Sequence, residues 1–244
     1  MSALNNSPRA DRREAFRRVI FHRPVLCYVT DRRSLPAGTV AADDPFAPIL
    51  QRIDVYAAAG IDWIQIREKD LDEQQCSSLT SRAMDSAYSH YRKRESLTAV
   101  VVNHHVSVAI TAQAFGVHLT EKSVTVADAI ETAAAYGRKD LWVGKSCHSL
   151  EGAQAAEREG AYYLFFGPVF STPSKASFGP AQGLDRLAEV CRSVPIPVLA
   201  IGGVTLENIP DCLASGASGI AAIRLFQDAP DPAATIRALR QLGR

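Results

Sequence analysis

Short runs of apolar residues alternate along the chain with longer segments in which apolar residues recur at helical spacing. Short apolar runs bounded by polar residues are typical of buried strands, and a period near 3.6 is typical of amphipathic helices. From residue 25 onward the pattern predicts eight strands, at residues 25–30, 63–66, 99–103, 116–120, 141–146, 162–166, 198–202 and 219–224. It predicts helices between most of them, for example at residues 72–90, 126–136, 150–159 and 185–193.

Strands that alternate with helices form a parallel sheet, because each helix returns the chain to the same end of the sheet. Eight such repeats predict a closed (β/α)8 TIM barrel, an α/β fold that forms a single domain over residues 25–244. An open doubly wound sheet is the alternative, but no GxGxxG sequence follows the first strand. Residues 1–24 are rich in arginine and are predicted to be a separate basic helical extension.

The composition is that of an ordinary globular protein, with 47% hydrophobic and 22% charged residues in 244. A formal net charge of +1 gives no field that would attract nucleic acid or a membrane surface. No apolar run is long enough to span a bilayer, and the five cysteines lack CxxC spacing, so we expect a cytoplasmic protein with reduced thiols. The sequence is compatible with a homo-oligomer and does not fix the oligomeric state.

Polar residues follow the predicted strands, where the carboxyl ends of barrel strands carry the chemistry in TIM barrels. After the second strand, Gln65, Arg67 and Lys69 alternate and are predicted to project from one face, where two cations favour an anionic ligand. The alternative is a solvated strand end whose cations pair with nearby acids, namely Glu68, Asp70 and Asp72.

The seventh strand ends in Gly202 and Gly203, and Thr205 follows as a predicted helix N-cap. Bare backbone amides at this position of a barrel are a frequent phosphate site, and Arg224 at the end of the eighth strand favours an anion there. A phosphorylated small molecule is therefore the predicted ligand. A simple tight turn at the two glycines is the alternative.

The long loop after the sixth strand, at residues 167–183, combines hydroxyl side chains with Lys175 and three prolines, which favours a flap that closes over a ligand. Four histidines follow other strands, but their spacing matches no zinc motif: His104, His105, His118 and His148. We therefore predict no metal ligands among them, and we treat His148 as a hypothetical acid or base.

The ordered series QIREK, VVNHH, GVHLT, VGKSCHS, GPVFSTPSK and LAIGGVT resembles the thiamine phosphate synthase/TenI family, over roughly residue 25 to the C-terminus. The resemblance implies a (β/α)8 barrel. It also implies an enzyme of thiamine biosynthesis that couples a hydroxymethylpyrimidine diphosphate to a thiazole phosphate and releases pyrophosphate with Mg²⁺. A thiazole tautomerase of the TenI type and a non-catalytic binder of thiamine-related phosphates are the alternatives.

The resemblance assigns pyrimidine and diphosphate contacts to one group of residues: Gln65, Arg67, Lys69, Asn103 and Lys175. It places Ser146 near the reacting pyrimidine, and Thr172, Ser174, Gly202 and Gly203 near the thiazole phosphate. We expect Ser146, Lys175 and His148 to be the catalytic candidates.

The chain departs from the family pattern where synthases carry two aspartates, because His104 and Ser123 stand there. Mg²⁺ prefers carboxylate oxygens, so the implied metal lacks its expected ligands, and Glu121 or Asp31 would have to replace them. The tautomerase histidine corresponds to Pro168, so that activity would need another base, such as His148 or His104.

Overall fold

The computed structural model describes residues 23–36, 44–94, 97–172 and 181–242, with the side chains of residues 92–94 left out. In these residues eight parallel strands close into a barrel in sequence order, so the predicted TIM barrel is confirmed. The strands β1 to β8 are Val25–Val29, Trp63–Ile66, Ala99–Asn103, Gly116–Leu119, Trp142–Cys147, Tyr163–Phe166, Val198–Ile201 and Gly219–Ala222.

Helices surround the barrel and connect its strands. Helices α1 to α9 of the described residues are Ala47–Ala59, Glu73–Arg94, Val106–Thr111, Val126–Ala135, Leu150–Arg158, Gly183–Ser193, Ile209–Ala214, Arg224–Gln227 and Pro232–Leu242. Helices α4 and α5 begin where the sequence places a side-chain cap, because Thr125 and Ser149 each accept a hydrogen bond from the amide three residues on. None of the described helices is long and apolar enough to cross a membrane.

Two details differ from the sequence prediction at the end of the chain. Helix α7 begins at Ile209, so Thr205 is not its N-cap; the Thr205 amide instead donates to Asn208 Oδ1 at 2.8 Å within the preceding turn. Strand β8 ends at Ala222, and Arg224 is the first residue of the short helix α8 rather than a strand residue. The predicted extension lies outside the described residues, apart from Arg23 and Pro24.

Strand register decides which side chains fill the barrel. Partners in paired strands project to the same face, and the pairing of Val29 with Gln65 and of Asn103 with His118 continues consistently around the closed sheet. Aromatic rings fill the interior near the amino ends of the strands, with the ring centroids of Trp63 and Tyr163 4.7 Å apart. The polar residues of the interior therefore lie toward the carboxyl ends.

A buried carboxylate stabilises the end of the barrel at which the amino ends of the strands lie. Asp62 is 4% exposed and accepts hydrogen bonds from the Leu26 amide at 2.8 Å, from Arg240 at 2.7 Å and from Arg23 at 2.8 Å. Arg240 belongs to α9 and also donates to the carbonyl of Pro24. This contact joins the terminal helix to the start of β1 and leaves the carboxyl ends of the strands free for a site.

Candidate functional site

The polar interior layer begins with an amide pair on neighbouring strands. Gln65 is 2% exposed, and its Nε2 donates to Asn103 Oδ1 at 3.0 Å. The pairing fixes the orientation of both side chains, because each amide would otherwise lose a hydrogen bond in a mostly buried position. Two of the predicted binding residues are thus side by side at the mouth of the barrel.

Ser146 is held by a buried histidine that sequence reasoning did not connect to it. His118 is 1% exposed, and its Nε2 lies 2.8 Å from Ser146 Oγ while its Nδ1 lies 3.2 Å from Tyr163 Oη. The imidazole ring packs on Phe165 with centroids 4.1 Å apart. A neutral imidazole donates from one nitrogen and accepts at the other, so it satisfies both hydroxyl groups.

One glycine makes this arrangement sterically feasible. A Cβ on Gly144 would lie 2.2 Å from the Tyr163 ring, so the glycine provides the space that the phenol occupies. Once β4 and β5 are paired, the contact between Ser146 and His118 follows from the alternation of side chains along a strand. His118 pairs with Gly144, and Ser146 lies two residues further along the same strand as Gly144. Side chains of equal parity on adjacent strands share a face.

The loop after β2 carries two cations that lie close together. Burial lowers the pKa of Arg67, and the neighbouring Arg67 charge is the largest cause of a lowered pKa at Lys69. No carboxylate in the described part of the chain lies within 4.0 Å of either cation. Like charges that repel each other gain free energy when an anion binds between or beside them.

The acidic residues nearby in sequence are paired elsewhere. Arg32 binds both oxygens of Asp70, at 2.6 and 2.9 Å, and its backbone amide donates to Glu68 at 2.9 Å. Glu68 also accepts from Thr30 Oγ1 at 2.6 Å, and burial raises its pKa in spite of these contacts. The alternative in which Glu68 and Asp70 pair with Arg67 and Lys69 is therefore wrong.

Asp72, the third acid of that alternative, accepts a hydrogen bond from the Gln75 amide at 2.8 Å at the start of α2. Thr30 has a second role, because its hydroxyl oxygen accepts from the Arg67 amide at 3.0 Å. The loop that presents the cations is thus held by Thr30, the residue that follows β1.

The glycine pair after β7 forms a tight turn against the base of the long loop. Gly202 and Gly203 have φ values of 93° and 67°, a region that favours glycine. A Cβ on Gly203 would lie 2.7 Å from Phe170 Cβ and 2.8 Å from the Ser171 carbonyl oxygen. The Phe170 amide donates to the Gly202 carbonyl at 3.0 Å. The two predicted phosphate elements, the glycine turn and the loop base, therefore lie next to each other.

The remaining predicted contacts of this region are only partly visible. Thr172 is the last described residue before residues 173–180 and is half-buried, while Ser174 and Lys175 lie outside the described residues. Arg224 is exposed at the start of α8. The loop closes on itself at its base, because the Gln182 amide donates to the Pro168 carbonyl at 2.7 Å.

His148 lies between the ends of β5 and β6. Its Nδ1 donates to the carbonyl oxygen of Gly167, and its Nε2 lies 3.9 Å from Glu121 Oε1. Because a carbonyl only accepts, Nδ1 carries the proton, and in the neutral ring Nε2 has the free lone pair. The side chain is 33% exposed, so this nitrogen can meet solvent or a ligand.

The two residues that the sequence resemblance aligns with aspartates bind each other. His104 Nδ1 lies 2.7 Å from Ser123 Oγ, and Ser123 Oγ also accepts from the Thr120 amide at 2.9 Å. His104 has a φ of 70°, in the left-handed region. Across the part of the chain that the structure describes, no three His, Cys, Asp or Glu side chains converge where they could hold a metal ion.

These features define the class of protein: a (β/α)8 barrel with paired amides, a hydroxyl and, at the carboxyl ends of its strands, two cations that lie within 4.0 Å of no described carboxylate. The sequence model of one family, described as thiamine monophosphate synthase, matches residues 39–226. The chain belongs to the thiamine monophosphate synthase family, as its sequence motifs predicted.

Individual relatives agree with this assignment. The chain is 38% identical to a thiamine-phosphate synthase of Methanocella arvoryzae, over 76% of this chain and 82% of the relative. It is 34% identical to a thiamine-phosphate synthase of Roseiflexus castenholzii, over 89% and 87%. Among solved structures it is similar to a thiamine phosphate pyrophosphorylase from Pyrococcus furiosus, with a TM-score of 0.74, 28% identity and coverage of 89% and 94%.

Proposed function

We propose that this protein is a thiamine-phosphate synthase that couples a hydroxymethylpyrimidine diphosphate to a thiazole phosphate and releases pyrophosphate. The observation that carries the proposal is the pair Arg67 and Lys69, two adjacent cations at the barrel mouth with no described carboxylate within 4.0 Å. Family membership supports the reaction type. The substrates are small phosphorylated molecules, as expected for a mouth of this charge.

The reaction that the resemblance implies breaks the bond between the pyrimidine methylene and the diphosphate, so negative charge develops on the leaving group. Arg67 and Lys69 stabilise that charge, since fixed cations in a partly buried site act strongly on a departing anion. Gln65 holds the pyrimidine by its amide, Asn103 contacts the diphosphate, and Ser146 contacts the pyrimidine next to the reacting carbon. Lys175, on the loop, is proposed as a further cation for the same pyrophosphate.

The thiazole phosphate is assigned to the turn at Gly202 and Gly203, together with Thr172 and Ser174. The amide of Gly203 donates to no described group, which leaves it available to a phosphate oxygen. Arg224 adds a positive charge at the start of α8, just after the neighbouring strand β8. The two phosphate groups are then assigned to different parts of the barrel mouth, after β2 and after β7.

The Mg²⁺ that the resemblance implies does not fit the donor set of this chain. An imidazole and a hydroxyl, His104 and Ser123, occupy the two aspartate positions and are hydrogen-bonded to each other at 2.7 Å. Mg²⁺ binds oxygen ligands, chiefly carboxylates and phosphates, in octahedral geometry. Glu121 faces His148 and does not join a metal-binding group of described residues. No step of the proposed reaction is assigned to a metal.

The test is pyrophosphate release with both substrates, comparing Arg67→Gln with Arg33→Gln. Both variants lose one positive charge from the same side of the barrel, but Arg33 is exposed in the short 3₁₀ helix Arg32–Ser34. We expect Arg67→Gln to lower kcat by about 100-fold or more, the usual cost of one electrostatic donor, and Arg33→Gln to change it by less than about 3-fold. Absence of release by the wild type, or equal losses in both variants, would contradict the proposal.

A second candidate activity, thiazole tautomerisation, is favoured by one contact. The tautomerase histidine of the family corresponds to Pro168, and His148 binds the carbonyl of the adjacent Gly167. Its Nε2 is therefore a base-capable nitrogen near the same point of the site. Conversion of the thiazole phosphate tautomer by wild type, and its loss in His148→Ala, would support this activity, whereas equal rates in the two proteins would exclude His148 as the base.

A further inference from the structure

We propose that His104, positioned by Ser123, binds the diphosphate group directly, so that this barrel binds pyrophosphate without a divalent cation. The inference rests on the proposed function for the identity of the anion. Three observations carry it: the geometry of the His104 and Ser123 pair, its place beside Asn103, and the absence, among the described residues, of a group of acidic or other side chains that could hold a metal ion.

The backbone places the His104 side chain at the mouth of the barrel. The His104 amide donates to the His118 carbonyl at 2.9 Å, which continues the pairing of β3 with β4 past the last strand residue, Asn103. The backbone then turns at His104 itself, where φ is 70°. A non-glycine residue in this conformation is strained and is retained where the surrounding contacts require it. His104 is exposed, so its ring is open to a ligand.

Ser123 fixes which nitrogen of His104 faces the site. Nδ1 is engaged by Ser123 Oγ, which leaves Nε2 for a ligand. A phosphate oxygen only accepts, so it selects the form of the ring that carries a proton on Nε2. Ser123 is compatible with the neutral and the charged ring, because a hydroxyl can donate to Nδ1 or accept from it, and it is itself held by the Thr120 amide.

The charges around the pair also favour an anion over a metal ion. Arg67 and Lys69 lie in the loop after the neighbouring strand β2. The charge of Asp31 acts on both cations but offsets only one positive charge, and cations repel Mg²⁺ unless further carboxylates or phosphates compensate them. The ring centroid of His105 is 5.1 Å from that of His104. His105 Nδ1 lies 3.6 Å from Glu73 Oε1, so this ring is directed to that carboxylate. His104 is the histidine of the two that is left to the ligand.

The experiment is calorimetric titration of the full-length protein with inorganic pyrophosphate, in EDTA and in excess MgCl₂. We expect the wild type to bind in EDTA and Mg²⁺ not to strengthen the binding. Loss of one charge-assisted donor should weaken binding in EDTA about 10- to 100-fold in His104→Ala. The matched control His105→Ala should bind within about 3-fold of wild type, since its partner is the surface acid Glu73.

Two further variants keep the test decisive if His104→Ala does not fold. Ser123→Ala removes the group that positions the ring and should weaken binding in EDTA about 3- to 10-fold. The double variant His104→Asp, Ser123→Asp supplies two carboxylates and should bind weakly in EDTA but at least about tenfold more tightly with Mg²⁺. Circular dichroism and thermal unfolding confirm that each variant is folded.

Binding by the wild type only in the presence of Mg²⁺, or equal affinities of wild type, His104→Ala and Ser123→Ala in EDTA, would overturn the inference. These outcomes are distinct from failure of the proposed function. A protein that binds pyrophosphate through His104 without metal but does not couple the two substrates would refute the synthase activity and retain this site. Turnover that depends on Mg²⁺, with no metal-free binding of pyrophosphate, would support the synthase activity and refute the His104 site.

Discussion

Replacing His118 by phenylalanine tests whether the buried imidazole is a hydrogen-bonding bridge. A phenyl ring is close in shape and keeps the packing on Phe165, whose centroid lies 4.1 Å from the imidazole. It cannot bond Tyr163 Oη or Ser146 Oγ, which lie 3.2 and 2.8 Å from the ring nitrogens. The two hydroxyls lose a partner with little change in apolar packing, so hydrogen bonding dominates the effect.

The two hydroxyls differ in cost because they differ in burial. Tyr163 is 0% exposed, so its orphaned hydroxyl should cost about 1–3 kcal/mol of unfolding free energy. Ser146 is partly exposed, and water can replace its lost partner at little cost. The expected loss in His118→Phe is therefore about 1–3 kcal/mol. Most of it should return in the double variant with Tyr163→Phe, where no phenol hydroxyl is left to satisfy.

Activity should respond differently from stability. Without His118, Ser146 is no longer oriented. Because we propose that Ser146 lies beside the reacting atoms, its misplacement should lower kcat by about 10- to 100-fold. Tyr163→Phe does not restore that orientation, so the double variant should be stable but still slow. Urea unfolding followed by tryptophan fluorescence and pyrophosphate release measure the two quantities. A coupling free energy below about 0.5 kcal/mol, or recovery of activity in the double variant, would refute the reasoning.

Two further predictions follow from the charges. Because Arg67 lowers the pKa of Lys69, and an anion binds the protonated amine, pyrophosphate affinity should fall as the pH rises through that lowered pKa. Arg67→Gln should move the fall to higher pH, as calorimetric titrations across the alkaline range would show; an unmoved midpoint would contradict this. Asp62→Asn leaves Arg240 without its buried counter-charge and should destabilise by about 3–5 kcal/mol in chemical unfolding, whereas the exposed Asp185→Asn should change stability by less than about 0.5 kcal/mol.

The barrel could be predicted from the sequence because its signals are local. Each strand is a short apolar run and each helix an amphipathic repeat, so eight repeats predicted the closed sheet without any long-range contact. The strand bounds agree within one or two residues. Thr205 was misassigned because a hydroxyl residue after a strand indicates a cap, but the side chain of Asn208 binds the Thr205 amide and delays the helix to Ile209.

The site was only partly predictable, because its decisive contacts join residues far apart in sequence. Strand order placed Gln65 near Asn103, and their hydrogen bond spans 38 residues. Nothing in the local pattern indicated that His104 would bind Ser123, 19 residues away. Once the barrel was predicted, the contact between Ser146 and His118 could have been found from the alternation of side chains along the adjacent strands β4 and β5.

The charge of the site depends on pairing rather than on composition. The segment from Gln65 to Asp70 carries two cations and two acids, so its sum gives no reason to expect an anion there. Arg32 changes this outcome, because it binds Asp70 through both oxygens and Glu68 through its amide. A bidentate guanidinium contact is directional, so it holds Asp70 away from Lys69 more firmly than a point charge could. Arg32 never needs to touch a ligand, yet its pairing leaves the positive charge of Arg67 and Lys69 available to one.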